Sequence, residues 1–321
     1  MKDEREVVIQ RVFSRLRDSV GHKVSVSTQF DYFTRQTAID KLHAMSIQIG
    51  TPNILKDRKF LKIMYKDLSV QNEDFFQNIL YGKGFLRRRQ EHTLMSPGEE
   101  TRWLPNLLND RVTYSPAANK VIIPEYMLSE PLFHPNYPTN VLLGGIGSMV
   151  AEAIVDGVAG VGAVFTATGR ILDGSEAGNF TLSRAEKPNA ALEGASKCIA
   201  RSWAKHGIDT VEQLEKTAVS NAISVAGFQA AYTALTEAFQ VENAQLLPSM
   251  EDLDPQAVFF LQYSQLQCSL STQEQTDLDR TLQPWLPGKT KLAGMLEAIP
   301  DFKHYFFCSD SDVRDCENTF F

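Results

Sequence analysis

Histidine and cysteine are scarce in this sequence, and neither is spaced as a metal ligand. The four cysteines form no C-x-x-C pair, which argues against a structural zinc or redox motif. None of the six histidines has a metal-ligand spacing to another. The cysteines allow three disulfide pairings or free thiols. The cysteines are Cys198, Cys268, Cys308 and Cys316, and the histidines are His22, His43, His92, His134, His206 and His304.

The chain also lacks an excess of basic residues and an apolar leader. Its 321 residues carry a formal net charge of −7, and Arg87–Arg89 is the densest basic run. This balance argues against non-specific nucleic-acid binding. The start, Met1–Glu6, is charged with no apolar core behind it, so we predict no signal peptide in this chain. A hydrophobic content of 43% and a charged content of 22% are ordinary for a soluble globular protein.

One long apolar run, Val141 to Ala167, has the general appearance of a membrane span. Glu152 and Asp156 lie near its centre, and glycine recurs along it. An acidic residue at mid-bilayer costs ~2.5–3.5 kcal/mol on insertion scales. We therefore predict a buried core helix followed by a glycine-rich loop, and no membrane segment in this chain.

The periodicity of apolar residues predicts a mainly helical fold with a small β component. Ile39, Leu42, Met45 and Ile49 recur at helical spacing, and Gly50–Pro52 then ends the run. Two β-rich segments, Val112–Tyr114 and Val121–Ile123, flank a turn and predict a hairpin.

Later segments carry clear helix-start signals and one domain boundary. Thr210–Gln213 has a capping-box pattern and predicts a helix to about Gln240. Asp254-Pro255 predicts a cap and a first turn for a helix through Val258–Gln267. The stretch Ser96–Thr101 contains Pro97-Gly98. We place a boundary there, between a helical segment 1–97 and a domain 98–321.

The segment Gly144 to Gly157 resembles the zinc-binding helix of the neprilysin and endothelin-converting-enzyme family. In that family a Gly-Gly-Ile-Gly lead-in runs into His-Glu-x-x-His-Gly, where the histidines bind zinc and the glutamate is the general base. The glycines fix the register here without a gap. The first histidine falls on Glu152, the glutamate on Ala153 and the second histidine on Asp156.

Further blocks extend the resemblance over nearly the whole chain, in order and at compatible spacing. The resemblance covers the C-terminal half of the family's proteins and implies a thermolysin-like (gluzincin) metallopeptidase domain. The blocks are Thr34 to Pro52, Tyr114 to Pro124, Glu130 to Phe133, Val258 to Cys268, and Pro300 to Cys316.

The other functional positions of the family also differ here. By resemblance, the third zinc ligand is replaced by Ser220 and its neighbouring aspartate by Ser224. The substrate-binding Asn-Ala pair becomes Arg111-Val112. The oxyanion histidine becomes Trp285, and the substrate-orienting arginine becomes Lys291, which lacks the bidentate fork.

These replacements predict loss of zinc and of peptide hydrolysis, and no cofactor. Ser220 is a poor neutral ligand, and Ala153 cannot accept a proton from a metal-bound water. Glu152 and Asp156 lie on one helical face, where they either pair with a lysine or arginine, line a solvated cleft, or bind a cation such as Mg²⁺ or Ca²⁺ weakly. Trp285 either fills vacated space or lines a ligand pocket.

The resemblance also implies how the cysteines pair. Cys198 is expected to pair with Cys316. Cys268 and Cys308 match cysteines whose partners lie upstream in the family, so the chain is either a fragment or short isoform of a longer protein, or these two thiols stay reduced. A full-length form is expected to be extracellular or membrane-associated, where the sequon at Asn179 is open to glycosylation.

Three functions follow, and they differ in what can be measured. The first is a catalytically inactive relative that binds a peptide or protein ligand outside the cell. The second is an active metalloendopeptidase with a relocated or non-zinc metal site built on Glu152 and Asp156. The third is a truncated product with no folded role, which cooperative thermal unfolding would contradict.

Overall fold

The computed structural model describes residues 4–95, 111–171, 180–204, 211–244, 246–275, 278, 286 and 288–308. In these ranges the chain is mostly helical with one small sheet, which confirms the predicted fold class. The α-helices are α1 (Glu4–Val26), α2 (Tyr32–Ala44), α3 (Arg58–Met64), α4 (Phe75–Met95), α5 (Thr139–Leu142), α6 (Ser148–Val158), α7 (Phe180–Trp203), α8 (Val211–Val241), α9 (Pro255–Leu266), α10 (Gly288–Glu297) and α11 (Asp301–Phe306).

The sheet has three strands in the order β1-β3-β2, where β1 is Ser46–Ile49, β2 is Thr113–Ser115 and β3 is Lys120–Ile123. Strands β2 and β3 form the predicted antiparallel hairpin, with Tyr114 opposite Val121. Strand β1 was not predicted. It pairs in parallel with β3, with Ile47 opposite Val121.

The prediction that the α2 helix runs on to Ile49 is therefore wrong. The Met45 N–H still donates to the Leu42 carbonyl, but the backbone of Met45 is extended (φ −67°, ψ 132°). The residues after it pair with β3, and the Gly50 N–H donates to the Ile123 carbonyl at 2.8 Å. Pairing with a distant strand overrides the local helical spacing, because β-branched residues such as Ile47 also suit a strand.

The apolar run Val141–Val158 forms two helices instead of one. Between α5 and α6 the chain makes a wider turn over Leu143–Gly147, and Gly145 has non-helical dihedral angles (φ −84°, ψ −117°). The Ser148 hydroxyl donates to the Gly145 carbonyl at 2.8 Å and so satisfies an oxygen near the break. The kink fixes the direction in which α6 enters the core.

Helix α6 lies at the centre of the hydrophobic core and packs against α8 and α1. The stretch Thr139–Val158 is long and apolar enough to cross a membrane, and 83% of its most apolar 18-residue window is buried inside the protein. That burial fits the interpretation of this run as a core helix within the described residues.

Two glycines bring neighbouring backbones unusually close to this central unit. A Cβ on Gly227 of α8 would lie 2.6 Å from the backbone nitrogen of Glu152. A Cβ on Gly144 would lie 2.4 Å from the carbonyl oxygen of Phe259 in α9. Only glycine permits such contacts without moving a helix.

The N-terminal helices and the C-terminal helices share the same core. Helices α1 and α2 contact α6, so segments on both sides of the predicted boundary at 97/98 pack together. The boundary itself lies outside the described residues, and the domain division stays a prediction. At the other end, the Tyr232 hydroxyl of α8 donates to Asp301 of α11 at 2.8 Å.

Candidate functional site

The Glu152 carboxylate faces helix α8 and is held by a serine of that helix. The hydroxyl of Ser224 donates to Oε1 of Glu152 at 2.7 Å. Ser224 is 2% exposed, whereas Glu152 is half-buried. The close α6–α8 crossing at Gly227, three residues further along α8, sets this distance. The structure therefore brings together two positions that the sequence analysis placed in the former metal site.

Asp156 lies one turn further along α6 and is also half-buried. Its carboxyl pKa is raised to about 6, chiefly by burial and secondarily by the negative charge of Glu152. The ammonium of Lys41 acts in the opposite direction and lowers the pKa. The surroundings of Asp156 thus disfavour its ionised form, and the charge of one lysine partly offsets that effect.

Lys41 projects from α2 and is 3% exposed, which is unusual for a lysine. Its ammonium donates to the carbonyl oxygens of Gly162 and of Phe165, the latter at 2.9 Å. Burial lowers its pKa to about 8, and the attraction of Asp156 counteracts that change. This lysine ties α2 to the loop that follows α6 and supplies positive charge to the cleft.

Tyr114 and Asn119 complete the polar network beside Asp156. The Tyr114 hydroxyl donates to Oδ1 of Asn119 at 2.8 Å, and the Lys41 ammonium lies 5.5 Å from the Tyr114 ring centroid. The Asn119 amide donates to the carbonyls of Lys41 and Ala167 at 3.1 and 3.2 Å. Asn119 is left-handed (φ 45°, ψ 53°), a conformation that asparagine tolerates. Burial and the charge of Asp156 raise the Tyr114 pKa.

The remaining positions of the former metal site supply neither a strong ligand nor a base. The Ser220 hydroxyl donates to the Thr217 carbonyl of its own helix at 2.9 Å, and its side chain is exposed. Ala153, at the position of the catalytic glutamate, is 4% exposed and has no proton acceptor. Of that constellation, Glu152 and Asp156 are therefore the two carboxylate ligand candidates, beside the weak hydroxyl of Ser220.

This donor set does not fit catalytic zinc. Such zinc is held by three ligands drawn mainly from histidine, cysteine and carboxylate, with a fourth position open for water. Here one carboxylate accepts a hydrogen bond from Ser224, the other interacts with Lys41, and the third donor is a hydroxyl bound to its own helix. In the described ranges no three His, Cys, Asp or Glu side chains cluster as a metal site. A zinc-dependent hydrolysis step therefore cannot be built from these side chains.

The predicted substrate-edge residues lie immediately before strand β2. Arg111 is half-buried and Val112 is 8% exposed. Among the described residues β2 is an edge strand that pairs with β3 alone, and its other side is called the free edge here. Lys291 lies half-buried on α10, which packs against α7 and α8.

Several predicted residues lie outside the described ranges, namely Trp285, Asn179 and Cys316. Cys198 is disulfide-bonded, and its predicted pairing with Cys316 stays a prediction. Cys268 and Cys308 are free and exposed.

Lys41 is the main site residue whose role the sequence analysis missed. In the sequence Lys41 lies inside the block Thr34 to Pro52, with no role assigned to it, and Asn119 lies likewise inside Tyr114 to Pro124. The available signal was the lysine in the apolar helix pattern of α2, since a lysine that cannot reach water must find acceptors. Its acceptors lie 121 and 124 residues away, so no local pattern named them.

Comparisons with known proteins bear on the family and the fold of this chain. The model of Peptidase family M13 matches residues 112–318, almost two thirds of the chain. The chain is 24% identical over 314 residues to the endothelin-converting enzyme homolog of Locusta migratoria, covering 96% of this chain and 42% of that protein. It is 25% identical over 303 residues to the Kell blood group glycoprotein of Homo sapiens, covering 93% and 38%. The chain thus spans about 40% of the length of these relatives.

Solved structures share the fold at low sequence identity. The zinc metalloprotease ZMP1 of Mycobacterium tuberculosis, in complex with an inhibitor, superposes with a TM-score of 0.77 at 18% identity, covering 99% of this chain and 46% of that chain. A Haemonchus galactose-containing glycoprotein complex gives 0.75 at 19% identity, covering 96% and 50%. These matches confirm the mainly helical, thermolysin-like metallopeptidase fold. Together, the matched blocks, the helix frame and the fold establish that this chain belongs to Peptidase family M13, the family of neprilysin and the endothelin-converting enzymes.

Proposed function

We propose that this chain is a catalytically inactive member of Peptidase family M13, without bound zinc, that binds an extended peptide or protein segment. The observation that carries the proposal is the donor set on α6 and α8. Glu152 is bonded to Ser224, Ala153 stands where a base is required, and Ser220 bonds to its own helix. Hydrolysis by the family's route needs a metal-activated water and a proton acceptor.

The charge arrangement supports a structural role for the two carboxylates, as contacts between helices, in place of a catalytic one. Asp156 and Lys41 compensate each other electrostatically, and the lysine also binds two carbonyls of the loop after α6. A functional general acid or base needs access to substrate and a free lone pair or proton. In this cleft the carboxylates and the lysine serve as contacts between α2, α6 and α8.

The free edge of β2 supports peptide binding. An exposed sheet edge presents unpaired N–H and C=O groups and can accept an extended peptide as an additional strand. The preceding Arg111 and Val112 would meet such a peptide first, and arginine would favour a peptide with acidic side chains over a basic one.

We further propose that the protein acts outside the cell, free or anchored as part of a longer chain. The disulfide at Cys198 supports this placement, because disulfides persist in oxidising compartments. One relative is named a blood group glycoprotein, and another is named an endothelin-converting enzyme homolog. Glycosylation at Asn179 would accompany export.

Metal analysis and a peptidase assay test the inactive state together. The chain, purified without added metal, is expected to hold well under one zinc per molecule and to leave fluorogenic peptides uncut. The matched control is a variant with Glu152→His, Ala153→Glu, Asp156→His and Ser220→Glu, which should gain zinc in the same preparation. Chelator-sensitive cleavage by the parent chain, abolished by Glu152→Ala, would establish the rival active peptidase.

Peptide binding needs its own experiment, because an inactive chain could bind nothing. Labelled extended peptides are titrated against the chain, each beside a copy that is N-methylated at alternate amides. Addition to the β2 edge requires peptide N–H donors, so the methylated copy is expected to bind at least tenfold more weakly. Equal binding of the two copies would remove the sheet edge from the proposal.

A further inference from the structure

A concave site lies at the far end of α8, away from Glu152 and Asp156. It is a cavity of about 420 Å³ between the N-terminal half of α1, residues 135–139 and the end of α8. Along α8, Ser224 and Phe239 are 15 positions apart, or roughly 22 Å at a helical rise of 1.5 Å per residue. The cavity volume falls within the usual range for small-molecule sites, roughly 300–1,000 Å³.

The buried lining residues of this cavity are apolar, and its exposed lining residues are polar. The apolar set, called the floor here, is Val8, Val12, Pro135, Pro138, Leu142, Leu143 and Phe239. The set with polar groups, called the rim, is Arg11, Arg15, Asn136, Tyr137, Thr139, Glu242 and Asn243. A ligand that fits must therefore have an apolar body and a polar head.

The rim charges favour a negatively charged head. Glu242 accepts from Arg15 and from the Thr139 hydroxyl, the latter at 3.2 Å, so its carboxylate is already satisfied. The Glu242 pKa is lowered chiefly by the hydrogen bond from Arg15 and least by the charge of Arg11. Arg11 is exposed, and the described hydrogen bonds and salt bridges do not include its guanidinium. With two arginines and one glutamate the rim keeps a net positive charge, and a carboxylate is the group that pairs best with an arginine.

An adjoining hollow, lined by the same two arginines, has an excess of negative instead of positive charge. It is also lined by Arg11 and Arg15, but Asp18 and Glu237 join Glu242 there. An anion is therefore favoured only on the side that faces Pro138 and Leu142. This difference between adjoining hollows fixes which one the head group enters.

We infer that this cavity binds a carboxylate carried on a short apolar body, with the carboxylate on Arg11 and the body against Leu142 and Phe239. A medium-chain fatty acid and the apolar C-terminal residue of a peptide both have this chemistry. The inference is independent of the function proposed for the cleft, since it uses no residue of α6 and none of the former metal positions.

Calorimetric titration with three ten-carbon probes tests the assignment, each below its micelle concentration. Decanoate is expected to bind, decanol to bind at least fivefold more weakly, and decyltrimethylammonium more weakly still. A peptide ending in a free leucine carboxylate, compared with its C-terminal amide, tests the second source. Tighter binding of decanoate assigns a fatty acid, and tighter binding of the acid peptide assigns a chain terminus. Decanol binding as tightly as decanoate would overturn the inference.

Variants of the rim and floor locate the site. Arg11→Gln is expected to weaken decanoate binding about five- to tenfold, the range for a charge-assisted hydrogen bond at a partly exposed position. The control Arg58→Gln makes the same charge change on α3 and should leave binding unaltered. Val8→Trp fills the cavity and should abolish binding, provided its thermal unfolding matches that of the parent. Equal affinities for Arg11→Gln and Arg58→Gln, or unchanged binding by a folded Val8→Trp, would refute the site.

Discussion

Helix α6 and the turn before it meet their neighbours through two kinds of contact. At the first, called the packed face here, glycines bring backbones together: Gly227 sets α8 against α6, and Gly144 sets α9 against the turn Leu143–Gly147. At the second, the polar face, the side chains of Glu152 and Asp156 meet polar partners, Ser224 and Lys41. The packed face allows almost no change of volume, whereas the polar face only needs charges to be compensated. Side chains on the polar face can therefore change while the helix that carries them keeps its position.

A substitution at the packed face should lower the free energy of unfolding most. Gly227→Ala places a Cβ 2.6 Å from the Glu152 backbone, so one helix must move, and we expect a loss of about 3 kcal/mol in the free energy of unfolding. Denaturant unfolding measures it. Gly194→Ala on α7 is the control, because nothing lies within 4 Å of its added Cβ, and it should stabilise by about 0.5–1 kcal/mol. Similar stability for both variants would show that the close crossing is not a constraint.

A change on the polar face should alter the free energy of unfolding by a smaller amount, and that amount should depend on pH. The folded-state pKa of Asp156 is about 6, above the ordinary 3.8, so the folded protein binds this proton more tightly than the unfolded chain. The stabilisation is complete below about pH 4 and is lost as pH rises through 6. Asp156→Asn should therefore match the parent near pH 3.5 and exceed it by about 1–2 kcal/mol at pH 7.

The control for this measurement is Asp252→Asn, which changes an exposed carboxyl and should show no such trend between pH 3.5 and 7. Loss of the Asp156 charge also removes an attraction that supports the charge on Lys41, and this reduces the gain at pH 7. A parent protein that becomes more stable than Asp156→Asn as pH rises to 7 would contradict the sign.

The smallest of these effects is expected at the serine that holds Glu152. Ser224→Ala removes a 2.7 Å hydrogen bond to a carboxylate, and we expect the free energy of unfolding to fall by about 1 kcal/mol. The loss is no larger because Glu152 is half-buried and regains some contact with water. Ser220→Ala, one turn away and exposed, should change stability by less than about 0.5 kcal/mol. A double-mutant cycle with Glu152→Gln isolates the pair. A coupling energy near zero would mean that Ser224 does not hold the carboxylate.

Local signals in the sequence located most elements of the fold. The predicted cap at Asp254 is confirmed, since Oδ1 accepts from the Gln256 N–H at 2.9 Å and α9 begins at Pro255. The β2–β3 hairpin also appears within one residue of its predicted bounds. Caps and turns are formed by groups a few residues apart, so the residue types at neighbouring positions predict them.

The elements that were missed depend on distant partners. Strand β1 exists because Ile47 lies opposite Val121, and its apolar spacing alone favoured a longer helix. The break at Gly145 lies in a run that is apolar on all sides, and such a run carries no sign of where a helix turns. For the site, the glycine frame placed Glu152, Ala153 and Asp156 on one helix, but nothing local joined Lys41 to them.

The sequence by itself determined the helical fold and the family, because these follow from residue identity at fixed spacing, and by resemblance it predicts that the histidines, base and third ligand are replaced. The tertiary structure alone decided which partners Glu152 and Asp156 contact. A carboxylate's role depends on its burial and on the charges around it, and those come from α2 and α8, far away in the chain. The cavity beside Arg11 likewise arises only where the end of α8 meets α1.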